Sequence, residues 1–165
     1  MTTYPNAWGV AFFADDFRQE IFGKYTLVGI YNSDIIYPEG QPFAFPRLAI
    51  LVRYNERHER FRGDVSVRVF YNYGLREDLL HESTLPREQV KDLKPYPPHG
   101  TADDLAEFIT FNIPIAFTTI RFPEPGVIRV VVECDGQTTS VGRVVLRRLA
   151  PGEAMAGAEP LPFSR

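Results

Sequence analysis

Residues able to do chemistry gather in two short runs. The first is Ala14-Asp15-Asp16-Phe17-Arg18-Gln19-Glu20-Ile21-Phe22-Gly23-Lys24. Asp15, Asp16 and Glu20 offer carboxylate oxygens that could surround a hard cation and so serve a metal-assisted hydrolase. Their spacing matches no regular calcium loop. The plainer expectation is a connection between strands, in which Asp16 caps a turn and pairs with Arg18 or Lys24. Gly23-Lys24-Tyr25-Thr26 lacks the second glycine of a phosphate loop, since Arg18 stands five positions before Gly23. The apolar, β-branched run that follows is also no helix. Gly23 is read instead as an unusual backbone angle at the entry to a strand.

The second run is Arg53 to Arg62, where Arg57, His58, Arg60 and Arg62 alternate with Glu56, Glu59 and Phe61. Loops that join strands often carry binding residues, so this is a candidate partner-docking loop, with a solvated hairpin tip as the simpler reading. Arg143, Arg147 and Arg148 fit charges that keep an edge strand from pairing. His58, His81 and His99 lie far apart in polar surroundings and are read as exposed. No nucleophile signature of the G-x-S-x-G kind accompanies them. Cys134 falls on the apolar face of its strand, and no His/Cys spacing resembles a zinc site. No catalytic residue, metal or cofactor is assigned, and an enzyme finds no support.

The elements that must position these residues are strands. Leu48, Ile50, Val52 and Tyr54 share one face, as do Val65, Val67, Val69 and Tyr71. Ile109, Phe111, Ile113, Ile115 and Phe117 form a third stripe, although Pro114 needs an edge or a bulge. Ile128, Val130, Val132 and Cys134 form a fourth. Lys24 to Tyr31 is apolar on both faces, the pattern of a central, well-covered strand. Asp135-Gly136 predicts a tight hairpin, Pro123 to Gly126 closes one strand and opens the next, and Asn72-Tyr73-Gly74 breaks another. Residues 86–105 read as a long surface loop, in which Thr101-Ala102-Asp103-Asp104 caps one helical turn.

The fold class expected is all-β: an antiparallel two-sheet β-sandwich. It is immunoglobulin-like in architecture only, because the Cys…Trp…Cys pattern is absent. Residues 1–150 form a single domain and 151–165 a flexible tail rich in Ala, Gly and Pro. The 165-residue chain carries 18 basic and 21 acidic residues, a net charge of −3, which argues against nucleic-acid binding. One cysteine rules out a disulfide scaffold. The longest early apolar stretch, Ala7 to Ala14, is too short to cross a membrane, and neither end carries a lipidation motif. A cytoplasmic protein without membrane contact is expected.

Phe13-Ala14-Asp15-Asp16-Phe17-Arg18…Glu20…Gly23-Lys24…Leu27-Val28-Gly29-Ile30-Tyr31, followed by Phe45-Pro46-Arg47-Leu48, resembles an uncharacterised bacterial family of small β-sandwich proteins. The resemblance covers the first third of the chain. It implies a compact bacterial sandwich and transfers no catalytic role. It makes Asp15, Asp16, Arg18, Glu20 and Lys24 the positions to test. The expected function is a non-enzymatic binding or assembly module that meets a protein partner or itself, given many aromatics and an empty catalytic inventory. The alternatives are the metal-assisted hydrolase and a carbohydrate-binding sandwich that stacks sugars on Tyr and Trp8. Many of the aromatics fall on the alternating stripes and read as core.

Overall fold

A computed structural model describes residues 6–90, 93, 96–99, 106–150 and 152. The strands are β1 (Ala7–Gln19), β2 (Tyr25–Tyr31), β3 (Asp34–Tyr37), β4 (Phe43–Arg57), β5 (Val65–Tyr73), β6 (Arg76–Leu85), β7 (Tyr96–His99), β8 (Ala106–Phe122), β9 (Gly126–Cys134) and β10 (Gln137–Arg148). One helical turn, α1 (Arg87–Val90), precedes β7. The first sheet has the order β2-β1-β4-β8-β7 and the second the order β3-β10-β9-β5-β6. Neighbours pair antiparallel except β3 and β10, which run parallel. The all-β two-sheet sandwich is the observed architecture.

The four predicted stripes line the space between the sheets. Leu48, Ile50, Val52 and Tyr54 face Val65, Val67, Val69, Tyr71, Ile128, Val130 and Val132 in one core, with Cys134 beside them. Burial pushes the Cys134 thiol up to about 12, which leaves it inert as a nucleophile. Before Leu48 the core side chains of β4 are Phe43 and Phe45, so the buried face shifts by one residue across Pro46. By the strand register Pro46 stands opposite Thr119 of β8, whose φ of 57° marks the kink on the partner strand.

Turn chemistry behaves as its residues predict. Asp135 and Gly136 both take positive φ, 51° and 73°, and join β9 to β10 in the tight hairpin. Residues 123–125 separate β8 from β9. Pro114 pairs with Leu51 of β4, while β7 meets β8 only near Phe108 and Ala106. Among the described residues the far side of β8 is unpaired at Pro114, a position that tolerates the missing N–H.

Five expectations need correction. The strand that carries Arg143, Arg147 and Arg148 is no edge, since β10 lies between β3 and β9 and Arg147 pairs with Asp34 of β3 at 2.8 Å. The acidic run at Asp15 and Asp16 is not a connection but the interior of β1, and the connection begins only at Glu20. β2 is not central: it is the edge of the first sheet, and Val28 and Ile30 are exposed. Apolarity on both faces reports an outer surface here rather than a covering layer. Residues 86–105 are no plain loop, since they contain α1 and β7. His81 is half-buried, edge-on to Phe117, and burial draws its imidazole below its ordinary value. Thr101 to Asp104 and nearly all of the 151–165 tail lie outside the described residues.

Candidate functional site

Strand geometry takes the acidic motif apart. Successive side chains of β1 point to opposite faces, so Asp15 and Asp16 cannot share a ligand from one side. Asp15 shares the core side of the sheet with Phe13, at the rim, and accepts a hydrogen bond from the Tyr31 hydroxyl. Burial, reinforced by the Asp15 carboxylate, pushes that hydroxyl well above its ordinary value. Asp16 points outward and pairs with Arg47 at 2.9 Å rather than with Arg18 or Lys24. Glu20 accepts from Thr26 Oγ1 at 3.0 Å. Arg18 and Lys24 are exposed and form no ion pair among the described residues.

Gly29 explains how Asp15 fits. It faces Asp15 in the β1–β2 register, at φ +66°, and a Cβ there would collide with the Asp15 carboxylate. No group of three or more His, Cys, Asp or Glu among the described residues is placed to hold a metal. The Asp15/Asp16/Glu20 cluster imagined for a hydrolase is thus three carboxylates with three different partners.

The docking loop is held more firmly than a hairpin tip. His58–Arg60 forms a single 3-10 turn, and Phe61 beyond it is buried. The Phe61 N–H donates to the Arg57 carbonyl at 3.1 Å, and the Arg62 N–H donates to Asp135 at 2.9 Å. The Arg87 N–H ties α1 to Asp64 at 2.9 Å. A cleft of about 310 Å³ lies between these elements, lined by His58, Glu59, Phe61, Arg62, Arg87 and Ile109. Its basic groups are offset by acids: His58 stands 3.5 Å from Glu107, and Arg57 stands 3.4 Å from Glu59. Arg60 is exposed outside the cleft lining. Of the four, His58 and Arg62 share the lining of this cleft.

The residues the sequence reading missed lie on the outer face of the first sheet. Strand register sets them in rows across β2, β1, β4 and β8. Val28, Asp16, Arg47 and Thr118 make one end row. Ile30, Ala14, Ala49 and Ala116 make the next, and Phe12, Leu51 and Pro114 the third. Val10, Arg53 and Asn112 follow, then Trp8, Asn55 and Thr110. Trp8, Phe12, Val28 and Ile30 are 43%, 37%, 46% and 53% exposed, far above the core aromatics. Scattered single apolar residues are ordinary on a protein surface, whereas these four are gathered on two neighbouring strands. The signal was present as apolarity on both faces of Lys24 to Tyr31, and as Trp8, Val10 and Phe12 at alternate positions.

The outer face of the second sheet is built differently. Arg68 reaches Glu82 at 2.6 Å and Glu133 at 2.8 Å, and Arg129 reaches Glu77 at 2.9 Å. Ser66 and Thr84 hydrogen-bond alongside at 2.8 Å. Cross-strand pairs of this type suit a sheet that faces water. Leu79, 53% exposed, and Phe70, under the Arg129 guanidinium, are apolar residues of this face beside those pairs.

Fold and surface together define a two-sheet β-sandwich with an open sheet face on which apolar side chains are exposed. The chain belongs to the family of unknown function DUF6941, which matches residues 9–145. The expected membership in a family without assigned activity is thereby met. No curated protein matches the chain. Among solved structures, a β-glucosidase from Erythrobacter marinus is similar at 13% identity and a TM-score of 0.35. That match covers 78% of this chain but only 18% of the glucosidase, and it carries nothing for function. No helix among the described residues is long and apolar enough to cross a membrane.

Proposed function

We propose that this protein is a non-enzymatic binding or assembly module that acts by protein–protein contact through the outer face of its first sheet. One observation carries the reading. Trp8 and Phe12 of β1 and Val28 and Ile30 of β2 stand exposed together on the outer face of the first sheet, while on the outer face of the second sheet ion pairs surround a single strongly exposed apolar side chain, Leu79. Covering the part of these side chains still in water would recover roughly 25 cal/mol for each Å² of apolar surface, on the order of 1 kcal/mol per residue. A carbohydrate platform draws less support, because Tyr31, Tyr37, Tyr54 and Tyr71 make aromatic contacts on the inner side and leave Trp8 without companions.

Hydroxyl-radical footprinting tests the proposal. Trp8 and Phe12 of the full chain at native abundance in cells should oxidise several-fold more slowly than in dilute purified protein. Equal oxidation in both settings would sink it.

A further inference from the structure

We infer that the partner is a second copy of this chain, seated face to face on the first sheet about a two-fold axis that runs along the strands between β1 and β4. This rests on the assembly reading above and goes one step further by naming the occupant.

A two-fold in that position keeps every row level and exchanges the strands, so β1 lies over the partner's β4 and β2 over its β8. Each row then meets its own mirror order. In the end row, Asp16 lies over Arg47 of the second copy and Arg47 over its Asp16. The pair already present within one chain, 2.9 Å apart, becomes a closed ring of two carboxylates and two guanidinium groups. In the next row, the protruding Ile30 lies over Ala116, while Ala14 and Ala49 cross at the centre, where small side chains let the sheets approach. In the third row, Phe12 lies over Leu51, which is almost fully buried and forms a floor for the ring. Further along, Val10 meets the stem of Arg53, an exposed arginine with no ion pair among the described residues. Large meets small and acid meets base.

The axis also suits sheet packing, because aligned sheets stack with their strands within about 30° of one another. Size points to a weak, concentration-dependent dimer. Three strands about 4.8 Å apart over a β1 span from Trp8 to Asp16 at about 3.3 Å per residue, with β2 flanking only the first two rows, give on the order of 400 Å² per copy. About 800 Å² for the pair before side-chain relief lies at the small end of specific contacts, as fits association in the micromolar to millimolar range. The other axis in the same plane, across the strands through the Phe12–Leu51 row, would lay Asp16 over Trp8 and Arg47 over Asn55 and has no such complementarity.

Sedimentation velocity of the full chain, from about 1 µM to 1 mM, tests the assignment. The native chain should pass from monomer to dimer within that range. Ala116→Arg should weaken the dimer by about tenfold or more, through a charge placed over Ile30. Asp16→Arg and Arg47→Asp should each do the same by juxtaposing like charges. The double variant Asp16→Arg/Arg47→Asp should return the dissociation constant to within about threefold of native, because the ring is restored with its signs exchanged. Arg68→Glu, on the outer face of the second sheet, should leave it unchanged. Trp8, the only tryptophan, gives an independent reading, since its emission should shift to the blue as dimer forms.

A chain that stays monomeric throughout would overturn the assignment, and so would a dimer indifferent to Ala116→Arg and Asp16→Arg. The two proposals fail separately. A monomer whose Trp8 is still protected in cells keeps the assembly reading and removes only the second copy as its partner.

Discussion

Gly29 and Asp15 are joined by a single geometric fact: the carboxylate occupies the space that a Cβ would fill. Gly29→Ala should therefore cost about 1–2 kcal/mol for the positive φ alone, and more because Asp15 must leave the Tyr31 hydroxyl. In urea unfolding, Asp15→Ala/Gly29→Ala should lose less than the sum of the single variants, since removing the carboxylate removes the collision. Additive losses would show that the close approach does not matter. Glu56 supports a second residue-scale prediction. It is buried, accepts a hydrogen bond from Tyr54, and burial raises its pKa above the ordinary 4.5. The folded chain thus holds this proton more tightly than the unfolded chain, so stability falls as pH rises through 4.5 to the raised value and stays reduced above it. Glu56→Gln should raise Tm at pH 7 and lose that advantage near pH 4, as thermal melts at the two pH values would show. Neither role was legible in the sequence. Asp15 reads as half of an acidic pair until strand alternation sends it and Asp16 to opposite faces. Glu56 reads as a loop charge until β4 is seen to run on to Arg57.

At the scale of elements, alternation was legible wherever one face of a strand is buried and the other wet. The stripes of β4, β5, β8 and β9 were read correctly for that reason. β2 was not, because apolarity on both faces is common to a central strand and to an edge strand that leaves apolar side chains exposed on its outer side. Turn residues carried their own conformations, and Asp135 does more than turn. Its carboxylate accepts the Arg62 N–H at 2.9 Å and so fastens the 57–64 loop to the β9–β10 hairpin. Asp135→Ala should lose that bond and strain the positive φ, at about 1–2 kcal/mol in urea unfolding. It should also speed hydrogen exchange at the Arg62 amide. Asp135→Asn keeps the side-chain acceptor and tolerates the same φ, so it should recover most of the stability. Full protection of that amide in the alanine variant would mean the loop is held by something else.

The whole molecule is a sandwich whose two outer faces differ in degree: the first gathers four exposed apolar side chains, and the second sets Leu79 among ion pairs. Composition could not show this, since 44% hydrophobic residues and a net charge of −3 average over both faces. Aromatics assigned to the core by alternation do lie there, yet Trp8 and Phe12 do not. Only the register that sets Phe12 beside Leu51 and Pro114 gathers the outward residues into one surface. If two copies bury that surface, association stabilises the fold by mass action, and Tm must rise with protein concentration. Scanning calorimetry should show Tm climbing by a few degrees per hundredfold increase in native chain, as expected for a domain of this size. Arg68→Glu, on the charged face, should climb in parallel. Ala116→Arg should give a flat line that meets the native curve at high dilution, because the substitution sits on an exposed position and removes the association without touching the core. A flat native curve would place the dimer outside the folding equilibrium. Parallel slopes for Ala116→Arg would move the interface to another face.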